Sequence, residues 1–288
     1  MKLLITGTKG RLGAALVAAY ASRHEIVCVG RSELDLSVPE RISPALGRLD
    51  FDLVIHCAAI TSPDACERAP ELATCVNAIS PAVIASECRR RGARMIQIST
   101  DYVYGGDNQA FLTESMTAMP VNHYGRTKLE AERGVLRELP EALVARVSWL
   151  FGSGSSFPDQ ILKQARGGSK LEAIADKWSA PTSVHDIAVW LERLWQHEKA
   201  PTGVINLCNS GSATWQSYGQ TIIDLAVELQ LLPARLEVEP NKLEDFTHFI
   251  ARRPRFTTMS NKRLSGLLGA PIRSWQEALK EWLCALSA

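Results

Sequence analysis

A tyrosine and a lysine four residues apart, Tyr124-Gly-Arg-Thr-Lys128, are the pair in this sequence best suited to moving a proton. On a helix, positions i and i+4 share one face, so phenol and ammonium point the same way. A phenol with an ordinary pKa near ~10 exchanges protons poorly at neutral pH unless a nearby cation stabilises its phenolate. Lys128 supplies that cation. Alone, the spacing also fits a surface tyrosine beside a solvated lysine; two further stretches lift it above chance. Ser99-Thr-Asp-Tyr-Val-Tyr104 follows the apolar run that ends at Ile98 and brings Thr100 and Asp101 to the carboxyl end of a strand, where open α/β sheets hold ligands. Cys57-Ala-Ala-Ile-Thr61 follows the run that ends at His56. There Ala58 and Ala59 are small enough for a ligand to lie against the strand tip, although ordinary core would also use them.

A third feature opens the chain. The run Leu3–Ile5 gives way to Gly7, Gly10 and Gly13, spaced G-x-x-G-x-x-G, with Arg11 and Leu12 between the last two. The run is too short for a secretory h-region. It reads instead as a strand turning into a helix, with glycines where a pyrophosphate approaches the helix N-terminus and where that helix packs on the strand. The spacing differs from the more familiar G-x-G-x-x-G, and a plain turn would also use these glycines. The next apolar run ends Val27-Cys28-Val29-Gly30-Arg31-Ser32, with no acid before Glu33. A site for NAD usually carries an acid there for the ribose 2′-hydroxyl. Arg31 stands where a guanidinium would clamp a 2′-phosphate, with Lys9 or Arg11 as a second charge, which predicts NADPH with NADH possible.

These residues need a scaffold, and the pattern supplies one. Short apolar runs at Leu3–Ile5, Ile26–Val29, Leu53–His56, Met95–Ile98 and Leu143–Val147 alternate with helical patterns at Leu12–Ala21, Ala73–Arg90 and Tyr124–Leu139. That alternation predicts a doubly wound α/β domain with a parallel sheet. After about residue 150 prolines loosen the rhythm. Ile187–His197 reads as a helix returning to the first domain. The expected division is therefore 1–148 plus about 183–200 for a Rossmann domain, and about 149–182 with 201–288 for a smaller, mixed α/β substrate lobe. Net charge is +1 from 32 basic and 31 acidic residues, and no apolar stretch approaches the length of a membrane span, so neither nucleic acid nor membrane is an expected partner. The seven cysteines form no C-x-x-C pair, and Cys28, Cys57 and Cys208 sit in apolar runs. This points to reduced thiols, a cytoplasmic protein and no bound metal.

Taken together, the glycine turn, Ala58-Ala59, Ser99-Thr100-Asp101-Tyr102-Val103 and Tyr124-x-x-x-Lys128 resemble the extended short-chain dehydrogenase/reductases, and more narrowly the dTDP-4-dehydrorhamnose reductase family. The likeness continues through Ser148-Trp149-Leu150-Phe151-Gly152, Ala180-Pro181-Thr182, Asp186-Ile187-Ala188, Asn206-Leu207-Cys208-Asn209-Ser210-Gly211 and Arg253-Pro254. The resemblance implies reduction of the 4-keto group of a nucleotide-linked deoxysugar, with dTDP-4-dehydro-L-rhamnose as the expected substrate. Hydride would pass from nicotinamide while Tyr124 protonates the carbonyl oxygen. Lys128 would hold the nicotinamide ribose and depress the Tyr124 pKa. Thr100 would bond the carbonyl oxygen or the phenol, Asp101 would touch the sugar, and Trp149 would offer it a ring face and an N–H. Asp35 and Leu36 would lie beside the adenine. The family often carries an acid after the third glycine that binds a metal at a dimer contact. Ala14-Ala15 here argues against a metal-linked dimer and leaves monomer or homodimer open.

Two alternatives remain at this stage. A sugar dehydratase of the superfamily places Asp-Glu after the catalytic threonine; here Tyr102 follows Asp101, which favours simple reduction, while an epimerase stays possible. A non-catalytic dinucleotide-binding subunit, resembling the beta subunit of methionine adenosyltransferase, is opposed by the intact Thr100, Tyr124 and Lys128.

Overall fold

The computed structural model describes residues 1–106 and 110–286. Five strands, β1 (Lys2–Thr6), β2 (Glu25–Val29), β3 (Leu53–His56), β4 (Arg94–Thr100) and β5 (Leu143–Val147), are joined by a sixth, Gly203–Leu207, in one parallel sheet. The spatial order is β2-β1-β3-β4-β5 and then Gly203–Leu207. Side chains of β1 alternate between two cores. Leu3 and Ile5 pack with helix α1 (Arg11–Tyr20) and the helix Val184–Gln196, whereas Leu4 packs toward the helices Ser80–Arg91 and His123–Glu138. Each face thus buries its own apolar layer, which is why the inner strands β1 and β3 read as continuous apolar runs.

The chain leaves β1 for β2 on one side and returns to place β3 on the other. That reversal opens a crevice at the carboxyl ends of β1 and β3, the position where such sheets bind ligands.

Two segments that the sequence assigns beyond the first domain pack with the sheet. The strand Gly203–Leu207 extends it past β5, and Leu264, Leu268 and Ile272 close over that side. A second apolar cluster gathers the helices Phe157–Arg166, Trp215–Glu228 and Trp275–Ala285 around Phe151, Tyr218 and Trp275. It is completed by the parallel pair Leu171–Ile174 and Val238–Asn241.

The helix expected over Ala73–Arg90 is three pieces: Pro70–Thr74, a π-turn at Cys75–Ile79, and Ser80–Arg91. Pro81 lacks an N–H for a regular ladder, and the Ser80 amide reaches back five residues to the Cys75 carbonyl. The extra residue turns Asn77 toward the tip of β3. Its side chain accepts from the Ile60 amide at 2.8 Å and donates to the Ile60 carbonyl at 3.0 Å.

Candidate active site

The crevice is built from strand ends. After β1, Gly7 takes φ +67°, and a Cβ there would stand 2.8 Å from the Ala58 amide nitrogen. A Cβ on Gly13 would collide with the Gly7 carbonyl oxygen, so α1 reaches this depth only with glycine. The first turn of α1 has no side-chain cap and no acidic residue. Its amides at Arg11, Leu12 and Gly13 face the cleft with their donors available to an anion. Opposite, the Ala58 amide donates to Thr6 Oγ1, which also bonds His56 Nδ1 at 2.9 Å. His56 is fully buried, and burial pushes its pKa down to about 3, so it is neutral at any working pH.

A cleft of about 670 Å³ runs from Gly7, Gly10 and Gly13 past Ala58 and Ala59 to Thr100, Asp101, Tyr124, Lys128 and Trp149. A second cavity of about 270 Å³, bounded by Lys9, Arg31, Asp35 and Leu36, meets the first at Gly7, Ala58 and Ala59. Every residue picked from the sequence as catalytic, cofactor-binding or substrate-binding lines one of these two joined spaces.

Asn122 caps the helix His123–Glu138 by accepting from the Gly125 amide at 2.8 Å, which fixes where Tyr124 and Lys128 emerge. Lys128 is only 3% exposed and donates to the Ile98 carbonyl at 2.6 Å. Burial lowers its pKa to about 8, while the Glu132 carboxylate one turn along works to keep it charged. Burial holds the Tyr124 phenol well above its ordinary value, and the Thr100 hydroxyl is the group that pulls it back. The expected depression of Tyr124 by Lys128 is therefore not a feature of this structure: the cation's bond is to Ile98, and the phenol's polar neighbour is Thr100.

Asp101 lines the same cleft and is bonded by its own chain. Its Oδ1 accepts from Thr100 at 3.1 Å, and its Oδ2 from Ser179 at 2.9 Å and Thr257 at 2.6 Å. Burial raises its pKa, opposed by the Lys177 charge and these hydroxyls. The carboxylate is engaged by its own chain and orients Thr100. Trp149 has φ +37° and stacks on Trp215 at 3.7 Å, so one ring face is covered. Its buried indole N–H has no partner.

Four contributors escaped sequence reasoning. Asn77 carries the β3 tip, as above. Glu132 and Arg146 form a bidentate pair behind Ser99, and spacing i+4 from Lys128 was the available hint for Glu132. Lys177, in Asp176-Lys-Trp-Ser179, gave no signal at all.

The RmlD substrate binding domain family model matches residues 1–287. The chain belongs to that family. Among RmlD-family relatives, a protein of Streptomyces antibioticus named a probable dTDP-4,6-dihydroxy-2-methyloxan-3-one 4-ketoreductase is 32% identical over 98% of this chain and 94% of its own length. The dTDP-4-dehydrorhamnose reductase of Mycolicibacterium smegmatis is 31% identical over 99% of this chain and 86% of its own. The solved dTDP-4-dehydrorhamnose reductase from Bacillus anthracis, in complex with NADP, superposes with a TM-score of 0.90 at 27% identity, covering 99% of each chain. The RmlD-family chain described here is accordingly an oxidoreductase. No helix among its described residues is long and apolar enough to cross a membrane.

Trp149→Ala separates two roles for that residue. If the ring covers the sugar, the variant is expected to raise the Michaelis constant for the nucleotide-sugar and leave NADPH affinity unchanged. A melting temperature lowered by the loss of a core aromatic, ~3–5 kcal/mol, with unchanged Michaelis constants would assign the ring to packing instead.

Proposed function

We propose that this chain reduces the 4-keto group of a nucleotide-linked deoxysugar, dTDP-4-dehydro-L-rhamnose being the substrate the family resemblance favours, with NADPH as reductant. The observation that carries the reading is the meeting of Tyr124, Thr100 and Lys128 in one cleft continuous with the glycine turn. When bound, the reduced nicotinamide supplies the hydride. The residues present fit such a cofactor: the uncapped α1 terminus and the Gly7–Gly13 close approach suit a pyrophosphate, and Ala58 and Ala59 leave room beside it.

Tyr124 keeps its proton at neutral pH because burial holds the phenol up, and it delivers that proton to the carbonyl oxygen as charge develops there. Thr100 gives its own hydrogen to Asp101 and accepts from the Tyr102 amide at 3.2 Å, which fixes its oxygen beside the phenol. Lys128 uses one N–H on Ile98 and has two left for ribose hydroxyls. Asp101 accepts from three hydroxyls and is followed by Tyr102, so the second carboxylate of a dehydratase is missing at that place in the sequence, which supports reduction over dehydration. Incubation with NADPH and dTDP-4-keto-6-deoxy-L-mannose is expected to consume the nicotinamide absorbance; no consumption above a substrate-free control overturns the reading.

The preference for NADPH rests on Arg31. Its side chain is 80% exposed, loosely paired with Asp35 at 3.6 Å, and borders the second cavity together with Lys9. Glu33, the first acid after β2, folds back to accept from the Gly30 amide at 2.9 Å and from Ser32. Arg31→Ala is expected to weaken NADPH more than NADH, narrowing their ratio. Titration of both cofactors into both proteins checks it, and an unchanged ratio removes Arg31 from this role.

A further inference from the structure

Lys177 is a buried cation that the reaction above does not use. It is 2% exposed, and its Nζ is buried without a hydrogen-bond partner. It lies over the Tyr102 ring at 5.1 Å and over the Trp149 ring at 5.4 Å. Both rings line the cleft that ends at Thr100 and Tyr124. Two other charged groups act on it, the Asp101 carboxylate and the Arg253 guanidinium. Asp101 offers charge, but its oxygens accept from Thr100, Ser179 and Thr257, with no hydrogen bond to Lys177. Arg253 is held by Asp64 at 2.8 Å. Ring faces attract a cation yet accept none of its three N–H bonds in the directional way an oxygen does. A buried donor left unpaired in this manner calls for a partner that arrives from outside.

Resting on the reductase reading, we propose that Lys177 is a specificity residue that donates a hydrogen bond to a hydroxyl of the bound sugar. The local charges cancel in pairs, Lys177 with Asp101 and Arg253 with Asp64, so no positive charge is left over to favour a diphosphate at this point. A neutral oxygen flanked by C–H groups suits two aromatic walls and one ammonium. The Lys177 side chain then selects sugars that present an acceptor between Tyr102 and Trp149, and discriminates against analogues lacking it, because the donor would stay unpaired.

The test is calorimetric titration of dTDP-L-rhamnose, and separately of dTDP, into the NADP-loaded full chain. Lys177→Met keeps the length of the side chain and removes the donor; Lys177→Gln keeps a donor without charge. Lys177→Met is expected to weaken dTDP-L-rhamnose about ten- to a hundredfold and to leave dTDP and NADP affinities unchanged. Lys177→Gln is expected to recover part of the loss. An unchanged affinity for dTDP-L-rhamnose overturns the proposal. An equal loss for dTDP assigns Lys177 to the phosphates and overturns it, as does a lowered melting temperature accompanied by loss of NADP. A wild type that binds dTDP-L-rhamnose more tightly than dTDP, yet turns over no 4-keto sugar, defeats the reductase reading and leaves the role of Lys177 to the same titrations. A wild type that gains nothing from the sugar overturns this proposal whatever its turnover.

Discussion

Tyr124→Phe is expected to lower turnover by about 10²–10⁴-fold while the dissociation constant for NADPH stays at the wild-type value. The substitution removes one oxygen and keeps the ring that packs edge-on against Tyr102 at 5.7 Å, so the cleft keeps its shape. What disappears is the phenol proton that the proposed mechanism delivers to the developing alkoxide. Thr100 does not replace it, because its hydrogen is directed to Asp101. The measurement is steady-state turnover beside a cofactor titration on one preparation. Near-full turnover in the variant would remove Tyr124 as the donor, and a parallel loss of NADPH binding would show that the ring, not the proton, mattered.

The second large effect concerns stability. Glu132 and Arg146 are 3% and 5% exposed and meet through two parallel bonds, Nε to Oε1 at 2.8 Å and an Nη to Oε2 at 2.6 Å. Ser99 adds a third bond to Glu132, and Arg146 also donates to the Tyr104 hydroxyl at 2.7 Å. Removing one member of such a pair strands the other charge in the interior. Glu132→Ala is therefore expected to cost about 3–5 kcal/mol, read as a fall in the denaturation midpoint at constant slope. The double variant Glu132→Leu with Arg146→Met is expected to lose less than the single one, since no orphaned guanidinium remains. A single variant within about 0.5 kcal/mol of wild type would mean that water or a neighbour satisfies Arg146.

How much of this lay in the sequence follows from how local each feature is. The first five strands were legible because each carries a short, mostly apolar run, although β2 lies at the sheet edge with Cys28 exposed and Gln97 and Arg146 interrupt β4 and β5. The sixth, Gly203–Leu207, was not: it is short and opens on a glycine, and its buried Asn206 is satisfied by the distant Leu112 and Ser260 carbonyls and the Tyr104 hydroxyl. The helix over 73–90 was legible as helix, but periodicity does not register the single extra residue of the π-turn. In the site, glycine spacing and the Tyr124–Lys128 spacing act within one or two turns of chain and could be read directly. The partners of Asp101 come from residues 78 and 156 positions away, and no pattern along the chain announces such meetings. For the same reason Lys177 reads as an ordinary surface lysine until the fold surrounds it.

Asp101 has a consequence beyond the site itself. One carboxylate ties Thr100 at the end of β4 to Ser179 and Thr257, on two distant segments that form a buried wall behind it. The orientation of the threonine beside the proton donor is thus conditional on how that wall is seated. By linkage, a ligand that draws the wall into place aligns the threonine, and the aligned threonine in turn favours the seated wall. Substrate recognition and acid alignment would then share one carboxylate, whose Oδ1 takes Thr100 and whose Oδ2 takes Ser179 and Thr257. A sugar that fills the pocket poorly would then be penalised twice, once in affinity and again in the chemical step.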